Sequence, residues 1–184
     1  MRVPLFIEFS GRNVLVIGGG GVGTRRAIKF LLAGANVRVL SLEFSNELLR
    51  YAEQGKVELI RGDAHDEELL MRNIEWADLV VIATNDPVVN ERIRELARGM
   101  RKFFNDATNA EETEVVVPFE SEINGIRIAV TTEGLSGIVA RKTLDRIMNM
   151  LREDEELMNM ARVWYAVKSK LKEVVSDVRT RLSL

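Results

Sequence analysis

Hydrophobic and polar positions in the first hundred or so residues alternate between short apolar runs and longer amphipathic segments. Continuous apolar runs are typical of buried parallel strands, because helices cover both faces of such a sheet. Five strands are predicted, at 14–17, 36–40, 57–60, 79–83 and from 102 onward. Helices are predicted between them, at 25–32, 46–54, 66–73 and 88–98. This alternation predicts an α/β fold with a doubly wound parallel sheet.

The pattern changes after about residue 110. Two further strands are predicted at Val115–Phe119 and Ile126–Val130, and Asn124-Gly125 between them is typical of a tight hairpin turn. No helical segment separates these strands, so we expect them to be antiparallel. From Ser136 onward nearly the whole chain is predicted to be helical. An apolar stripe runs from Leu144 to Val167 at helical spacing.

Composition narrows the classes of function. A chain of 184 residues with a net charge of −2 has no global field for phosphates, which argues against nucleic acid as a ligand. The chain has no cysteine and a single histidine, His65, which we expect in an exposed loop. These counts exclude disulfides and a thiol nucleophile, and we expect no metal site. No apolar run reaches the roughly 18 residues of a membrane span, so we expect a cytoplasmic protein without membrane contact.

A glycine-rich loop follows the first predicted strand and opens the first helix. Gly18 would form the tight turn, Gly20 would let the backbone approach a pyrophosphate, and Gly23 would let the helix pack against the strand. The pyrophosphate would bind the free N–H groups at the start of the helix, beside Gly21 and Val22. The sequence therefore predicts a Rossmann-type domain that binds NAD.

Two more segments are predicted to border the cofactor. The acidic residue that usually binds the adenosine ribose is replaced by Ser41, with Glu43 just beyond it. NAD is favoured over NADP, because no arginine cluster follows the second strand. Thr84, Asn85 and Asp86 follow the fourth strand at its carboxyl end, where α/β sheets bind ligands. They could instead serve only to cap the next helix.

Several motifs in a fixed order resemble those of one family. They are Pro4-Leu5-Phe6, Gly11 to Gly20, Arg25-Arg26, Ala83 to Asp86 with Asn90, Asn105, Pro118, Ala129 to Ser136 and Ala140-Arg141. In this order and spacing the chain resembles the precorrin-2 dehydrogenases, which also form the N-terminal part of siroheme synthases. The resemblance covers roughly residues 3–150.

The resemblance implies an NAD-dependent oxidation of precorrin-2, a small-molecule tetrapyrrole, to sirohydrochlorin. Some members of this family also insert ferrous iron. It further implies a homodimer with an NAD-binding domain at 1–110, a small α+β dimerisation region at 111–150 and C-terminal helices at 151–184. By the same resemblance the substrate-binding candidates are Asn105, Thr132, Ser136 and Arg141. The alternative is a non-catalytic module that senses NAD or binds a tetrapyrrole.

One position departs from the family pattern at the expected catalytic aspartate. Counting from Asn105, and back from Pro118, places Thr108 there, and the nearest aspartate is Asp106. In an extended segment these two side chains would face one cleft, about 7 Å apart along the chain. We therefore expect Asp106 to act as the base, so that Asp106→Asn lowers turnover about a hundred-fold, and Thr108 to hydrogen-bond a substrate carboxylate. Alternatively Asp106 only forms a turn, and Glu133 is the next candidate base.

Overall fold

The computed structural model describes residues 2–182, with side-chain exposure described as far as residue 175. The chain divides into two compact units, Met1–Val116 and Val117–Leu184.

The first unit is a five-stranded parallel sheet with helices between the strands, as predicted. Its elements are β1 (Asn13–Ile17), α1 (Gly21–Leu32), β2 (Asn36–Ser41), α2 (Asn46–Glu53), β3 (Glu58–Arg61), α3 (Glu67–Trp76), β4 (Leu79–Ile82), α4 (Pro87–Gly99) and β5 (Phe103–Asp106). The strand order is β3-β2-β1-β4-β5. Ile17 pairs with Leu40 on one side and with Ile82 on the other, so the strands end together at one edge of the sheet. The chain reverses its direction of winding between β1 and β4, and ligands bind at such a point.

The core of this unit explains why the central strands are so apolar. Every residue from Val14 to Ile17 is fully buried, and Val80, Val81 and Ile82 are fully buried beside them. One side of the sheet forms a cluster with α3 and α4 that includes Ile74, Ile93 and Phe104. Fully burying side chains of this size is worth about 1.5–3 kcal/mol each, so this cluster stabilises the packing of α3 and α4 on the sheet.

The helix starts differ in one respect that matters for function. Ser45, Asp66 and Asp86 cap α2, α3 and α4, and each side chain accepts a hydrogen bond from a backbone N–H in the first turn. The N-cap of α1 is Gly20, which offers no side-chain acceptor. The first N–H groups of α1 are therefore left for another partner.

The second unit contains a hairpin and two helices. Its elements are β6 (Phe119–Ile123), β7 (Ile126–Val130), α5 (Gly137–Glu153) and α6 (Glu155–Leu182). Asn124 and Gly125 form the predicted turn, with φ angles of 49° and 80°. Such a two-residue turn pairs the residues that flank it, so β6 must end at Ile123.

The prediction of a strand at Val115–Phe119 is therefore wrong. The hairpin register selects the more polar segment 119–123 as the partner of β7, although two glutamates lie within it. Val115, which begins the apolar segment, instead lies beside β5, and its N–H donates to the Phe104 carbonyl at 2.9 Å.

The two C-terminal helices bury their apolar residues to different degrees. Ala140, Leu144 and Met148 lie on one face of α5 and are buried, and this helix contacts both strands of the hairpin. In α6, large apolar side chains are exposed, among them Val163, Trp164 and Leu171. No helix in the described part of the chain combines the length and apolarity needed to cross a membrane.

Candidate dinucleotide and substrate site

A cavity of about 430 Å³ in the first unit lies at the carboxyl ends of the strands. It is bounded by the glycine loop and by the loops that follow β2, β3 and β4. The predicted cofactor residues that line it are Gly18, Gly20, Gly21, Val22, Ser41, Thr84, Asn85 and Asp86. Gly23 is not among the lining residues, because it packs beneath the loop.

The three motif glycines meet three different spatial requirements. Gly18 has a φ of 112°, and a Cβ there would lie 2.3 Å from the Ala83 carbonyl oxygen. A Cβ on Gly23 would lie 1.8 Å from the Gly18 carbonyl oxygen. A Cβ on Gly20, by contrast, would meet nothing within 4 Å. Gly18 and Gly23 therefore shape the loop, whereas Gly20 keeps open the space in front of the uncapped helix, which fits a pyrophosphate.

Ser41 contacts the glycine loop directly. Its hydroxyl oxygen accepts a hydrogen bond from the Gly19 N–H at 3.0 Å. The hydroxyl hydrogen is not used in that bond and remains available to a ribose oxygen. Ser41 thus both fixes the loop and lines the cavity, whereas Glu43 does not line it.

The segment from Gly62 to His65 also lines the cavity, although no motif in the sequence marks it as part of the site. It follows β3 at the same edge of the sheet as the glycine loop. Its position after a parallel strand was the available indication, because every such loop borders the cleft. His65 is exposed, as predicted, and yet it belongs to the wall of the cavity.

His65 links two loops at the rim of the cavity. Its Nδ1 lies 2.9 Å from Asp63 Oδ1, and its Nε2 lies 3.4 Å from Asp86 Oδ2. The hydrogen bond to Asp63 and the negative charges of both carboxylates raise the pKa of His65 above its ordinary value of 6.5. The hydrogen bond that the backbone N–H of His65 donates, followed by the one from its ring, lowers the pKa of Asp63.

Asp86 caps a helix and also lies in the wall of the cavity. Its Oδ1 accepts from the backbone N–H groups of Val88 and Val89, at 2.9 and 3.1 Å, and so caps α4. The same side chain lines the cavity.

Asp106 does not face an open cleft, contrary to the expectation for a base. Its side chain is 0% exposed, and its Oδ2 forms an ion pair with Arg94, whose side chain is 8% exposed. Its Oδ1 accepts from the N–H groups of Thr108 and Asn109 and from the Thr108 hydroxyl, at 2.8, 3.0 and 2.7 Å. The chain turns here instead of extending, so the two side chains touch. Both oxygens of Asp106 are therefore engaged by groups of the protein itself.

Arg94 is itself held on both sides. It pairs with Glu91 as well as with Asp106. Burial lowers its pKa, but the hydrogen bonds and charges of the two carboxylates outweigh burial and raise it. Arg94 therefore lies between two carboxylates, one buried and one half-exposed.

The four substrate-binding candidates lie in both units. Asn105 is buried at the end of β5, where its Nδ2 donates to the Val115 carbonyl at 2.7 Å and its Oδ1 has no hydrogen-bond partner among the described residues. Thr132 and Ser136 are bonded to each other, since the Ser136 N–H donates to Thr132 Oγ1 at 2.9 Å. Ser136 Oγ also caps α5 by accepting from the Val139 N–H. Arg141 is exposed in the same helix.

Residues 5–119 match the model of a protein family described as "Putative NAD(P)-binding". The cofactor prediction is thereby confirmed. Over 183 residues the chain is 31% identical to a "Putative precorrin-2 dehydrogenase" of Methanocaldococcus jannaschii, and the match covers 97% of this chain and 85% of the relative. The chain belongs to the precorrin-2 dehydrogenase family. The resemblance seen in the sequence is confirmed.

Two other similarities show how much of the chain is shared with related proteins. A siroheme synthase of Neisseria meningitidis is 32% identical over 96% of this chain, which spans 36% of that enzyme. The solved structure of SirC, precorrin-2 dehydrogenase, superposes with a TM-score of 0.66 at 26% identity. That match covers 84% of this chain and 72% of SirC. A precorrin-2 dehydrogenase fold thus extends over both units of the chain.

Proposed function

We propose that this protein catalyses the NAD-dependent dehydrogenation of precorrin-2 to sirohydrochlorin. The observation that carries the proposal is an open dinucleotide cavity in a chain that matches a precorrin-2 dehydrogenase over 97% of its length. The length of this match favours the enzyme over a non-catalytic NAD-sensing module, since such a module requires only the first unit.

The residues around the cavity fit an NAD molecule. The uncapped N–H groups of α1 would bind the pyrophosphate above Gly20, and Ser41 would donate to the adenosine ribose. No lysine or arginine is among the described residues that line the cavity, so a 2′-phosphate would lack a cation, and NAD is favoured over NADP. When bound, NAD supplies the acceptor for the hydride that the substrate loses.

The substrate is a tetrapyrrole with many carboxylates, and four residues are proposed to contact it. Arg141 suits a carboxylate, because within the described residues it forms no ion pair. Asn105 presents a buried acceptor at the end of β5, next to the strand that leads into Thr84 and Asn85. Thr132 and Ser136 precede Arg141 and fix the start of α5.

We further propose that the protein is a cytoplasmic homodimer. The exposed apolar face of α6 supports association with a second copy, because such a face is unfavourable in water.

The activity is tested by mixing the protein with enzymatically prepared precorrin-2 and NAD, and by following sirohydrochlorin fluorescence. We expect product only when NAD is present, and none from the Gly20→Asp variant. Binding of NAD without formation of sirohydrochlorin by the wild type would contradict the proposal and would favour the non-catalytic module.

A further inference from the structure

A chain of hydrogen bonds starts at Thr84, which lines the dinucleotide cavity, and its direction is fixed. The Thr84 hydroxyl oxygen accepts from the Asp86 N–H at 3.2 Å, so its hydrogen is free to be donated. Two acceptors lie within reach, the Asp86 carbonyl at 3.4 Å and Asn90 Oδ1 at 2.5 Å, and the much shorter distance assigns the hydrogen to Asn90. Asn90 is 3% exposed, and this bond sets the orientation of its amide. Its Nδ2 then donates to the Thr84 carbonyl and to Thr108 Oγ1, each at 3.2 Å.

The other end of the chain of hydrogen bonds is fixed by Asp106. This carboxylate is paired with Arg94 and can only accept hydrogen bonds. The Thr108 hydroxyl lies 2.7 Å from Asp106 Oδ1, so its single hydrogen is donated there. Thr108 Oγ1 therefore donates once, accepts once from Asn90, and keeps one lone pair. Because Thr108 is exposed, that lone pair is available to a ligand.

This arrangement reverses the role first expected for Thr108. A hydroxyl whose only hydrogen is bound to Asp106 cannot also donate to a substrate carboxylate. A carboxylate placed here would meet a lone pair and a buried negative charge, which is unfavourable. Among the polar groups of a tetrapyrrole, the ring nitrogens are the ones that carry donor hydrogens.

We propose that Thr108 Oγ1 accepts a hydrogen bond from a ring N–H of the bound tetrapyrrole, with Asn90 and Asp106 as positioning residues. The inference rests on the proposed function for the identity of the ligand. The amide of Asn90 contacts both Thr84, on the cofactor wall, and Thr108. The N–H contact thus holds the macrocycle beside the cavity in which the hydride acceptor binds.

The test compares two ligands that differ in the ring N–H groups. Sirohydrochlorin has them, and its nickel complex has lost them to the metal. Fluorescence or absorbance titration gives the Kd of each for the wild type, Thr108→Val and the matched control Thr108→Ser. We expect Thr108→Val to weaken binding of sirohydrochlorin about ten-fold and to leave the nickel complex and NAD unchanged. Thr108→Ser keeps the acceptor and should stay within about two-fold of the wild type.

The positioning role of Asn90 is tested by comparing the same two Kd values, for sirohydrochlorin and for its nickel complex. Asn90→Ala should reduce the preference for sirohydrochlorin over its nickel complex, which a mere loss of stability would not do. Equal binding of sirohydrochlorin by Thr108→Val and the wild type would overturn the inference, as would equal weakening of both ligands. Failure of the wild type itself to bind sirohydrochlorin would instead overturn the proposed function, and the inference with it.

Discussion

Arg94 and Asp106, which are twelve residues apart along the chain, form an almost completely buried ion pair in the first unit. Their side chains are 8% and 0% exposed. Asp106 ends β5 and Arg94 lies on α4, so the pair connects the helix to the strand that it packs against. The same carboxylate holds the turn that contains Thr108. Its removal should therefore affect the structure before it affects any proton transfer.

We expect Asp106→Asn to destabilise the protein by about 2–4 kcal/mol, because it leaves a buried guanidinium with only Glu91 as its partner. Urea denaturation measures the change. Glu91→Gln is the matched control, since the Glu91 side chain is half-exposed and its loss should cost under about 1 kcal/mol. An Asp106→Asn variant as stable as the wild type, with turnover reduced a hundred-fold, would restore Asp106 as the base.

The parallel sheet and the glycine loop could be predicted from the sequence because their determinants are local. Apolar runs such as Val14 to Ile17 specify buried strands, and Gly18 to Gly23 specify a turn that only small residues permit. The hairpin was partly predicted for the same reason. The Asn124-Gly125 turn is predicted correctly, but the strand before it is predicted on the apolar run Val115–Phe119. The register of the turn selects Phe119–Ile123 instead, because the residues that flank the turn must pair.

The polar interior of the site could not be predicted in this way. Arg94 lies in an amphipathic helix and looks like a solvated residue, and only contact with Asp106 makes it part of the core. The directions of the hydrogen bonds at Asn90 and Thr108 likewise depend on groups up to 18 residues apart. Pairings over such separations are set by packing, and the spacing of residues along the chain does not determine them.

Gly20→Asp should abolish NAD binding and leave the fold intact. Gly20 has an ordinary φ of −72° and open space beside it, and aspartate is a favourable residue at a helix N-cap. The new carboxylate would face the pyrophosphate, and repulsion of about 4 kcal/mol at 4 Å corresponds to a loss of affinity of more than a hundred-fold. Calorimetric titration with NAD and a thermal melt measure the two effects.

Gly23→Ala is the contrasting variant for that experiment. Its Cβ would collide with the Gly18 carbonyl, so it should lower stability as well as NAD affinity. Unchanged NAD affinity in Gly20→Asp would exclude this loop as the pyrophosphate site.

The His65 bridge should make stability depend on pH. The pKa of His65 is raised from its ordinary value of 6.5, so its contribution is fully present below about pH 6.5 and is lost as the pH rises through the higher folded-state pKa. The wild type should therefore exceed His65→Gln in melting temperature by more at pH 6 than at pH 8.5. Asp63→Asn removes the main partner of His65. The melting temperature of this variant should therefore also fall short of the wild-type value by more at pH 6 than at pH 8.5. A constant difference between wild type and His65→Gln at both pH values would contradict a linked titration.

The exposed face of α6 predicts a dimer that single charges can disrupt. Met160, Trp164, Val167 and Leu171 recur at helical spacing on one face and are all exposed, so a second copy that covers them removes apolar surface from water. Light scattering at micromolar concentration should give twice the mass of the chain for the wild type. Trp164→Glu combined with Leu171→Glu should give the monomer, because association would bury two unpaired carboxylates in an apolar interface. The control is Lys170→Glu, which lies off that stripe and should remain dimeric. A wild-type monomer at this concentration would contradict the dimer, and a dimer that survives the double substitution would place the interface on another surface.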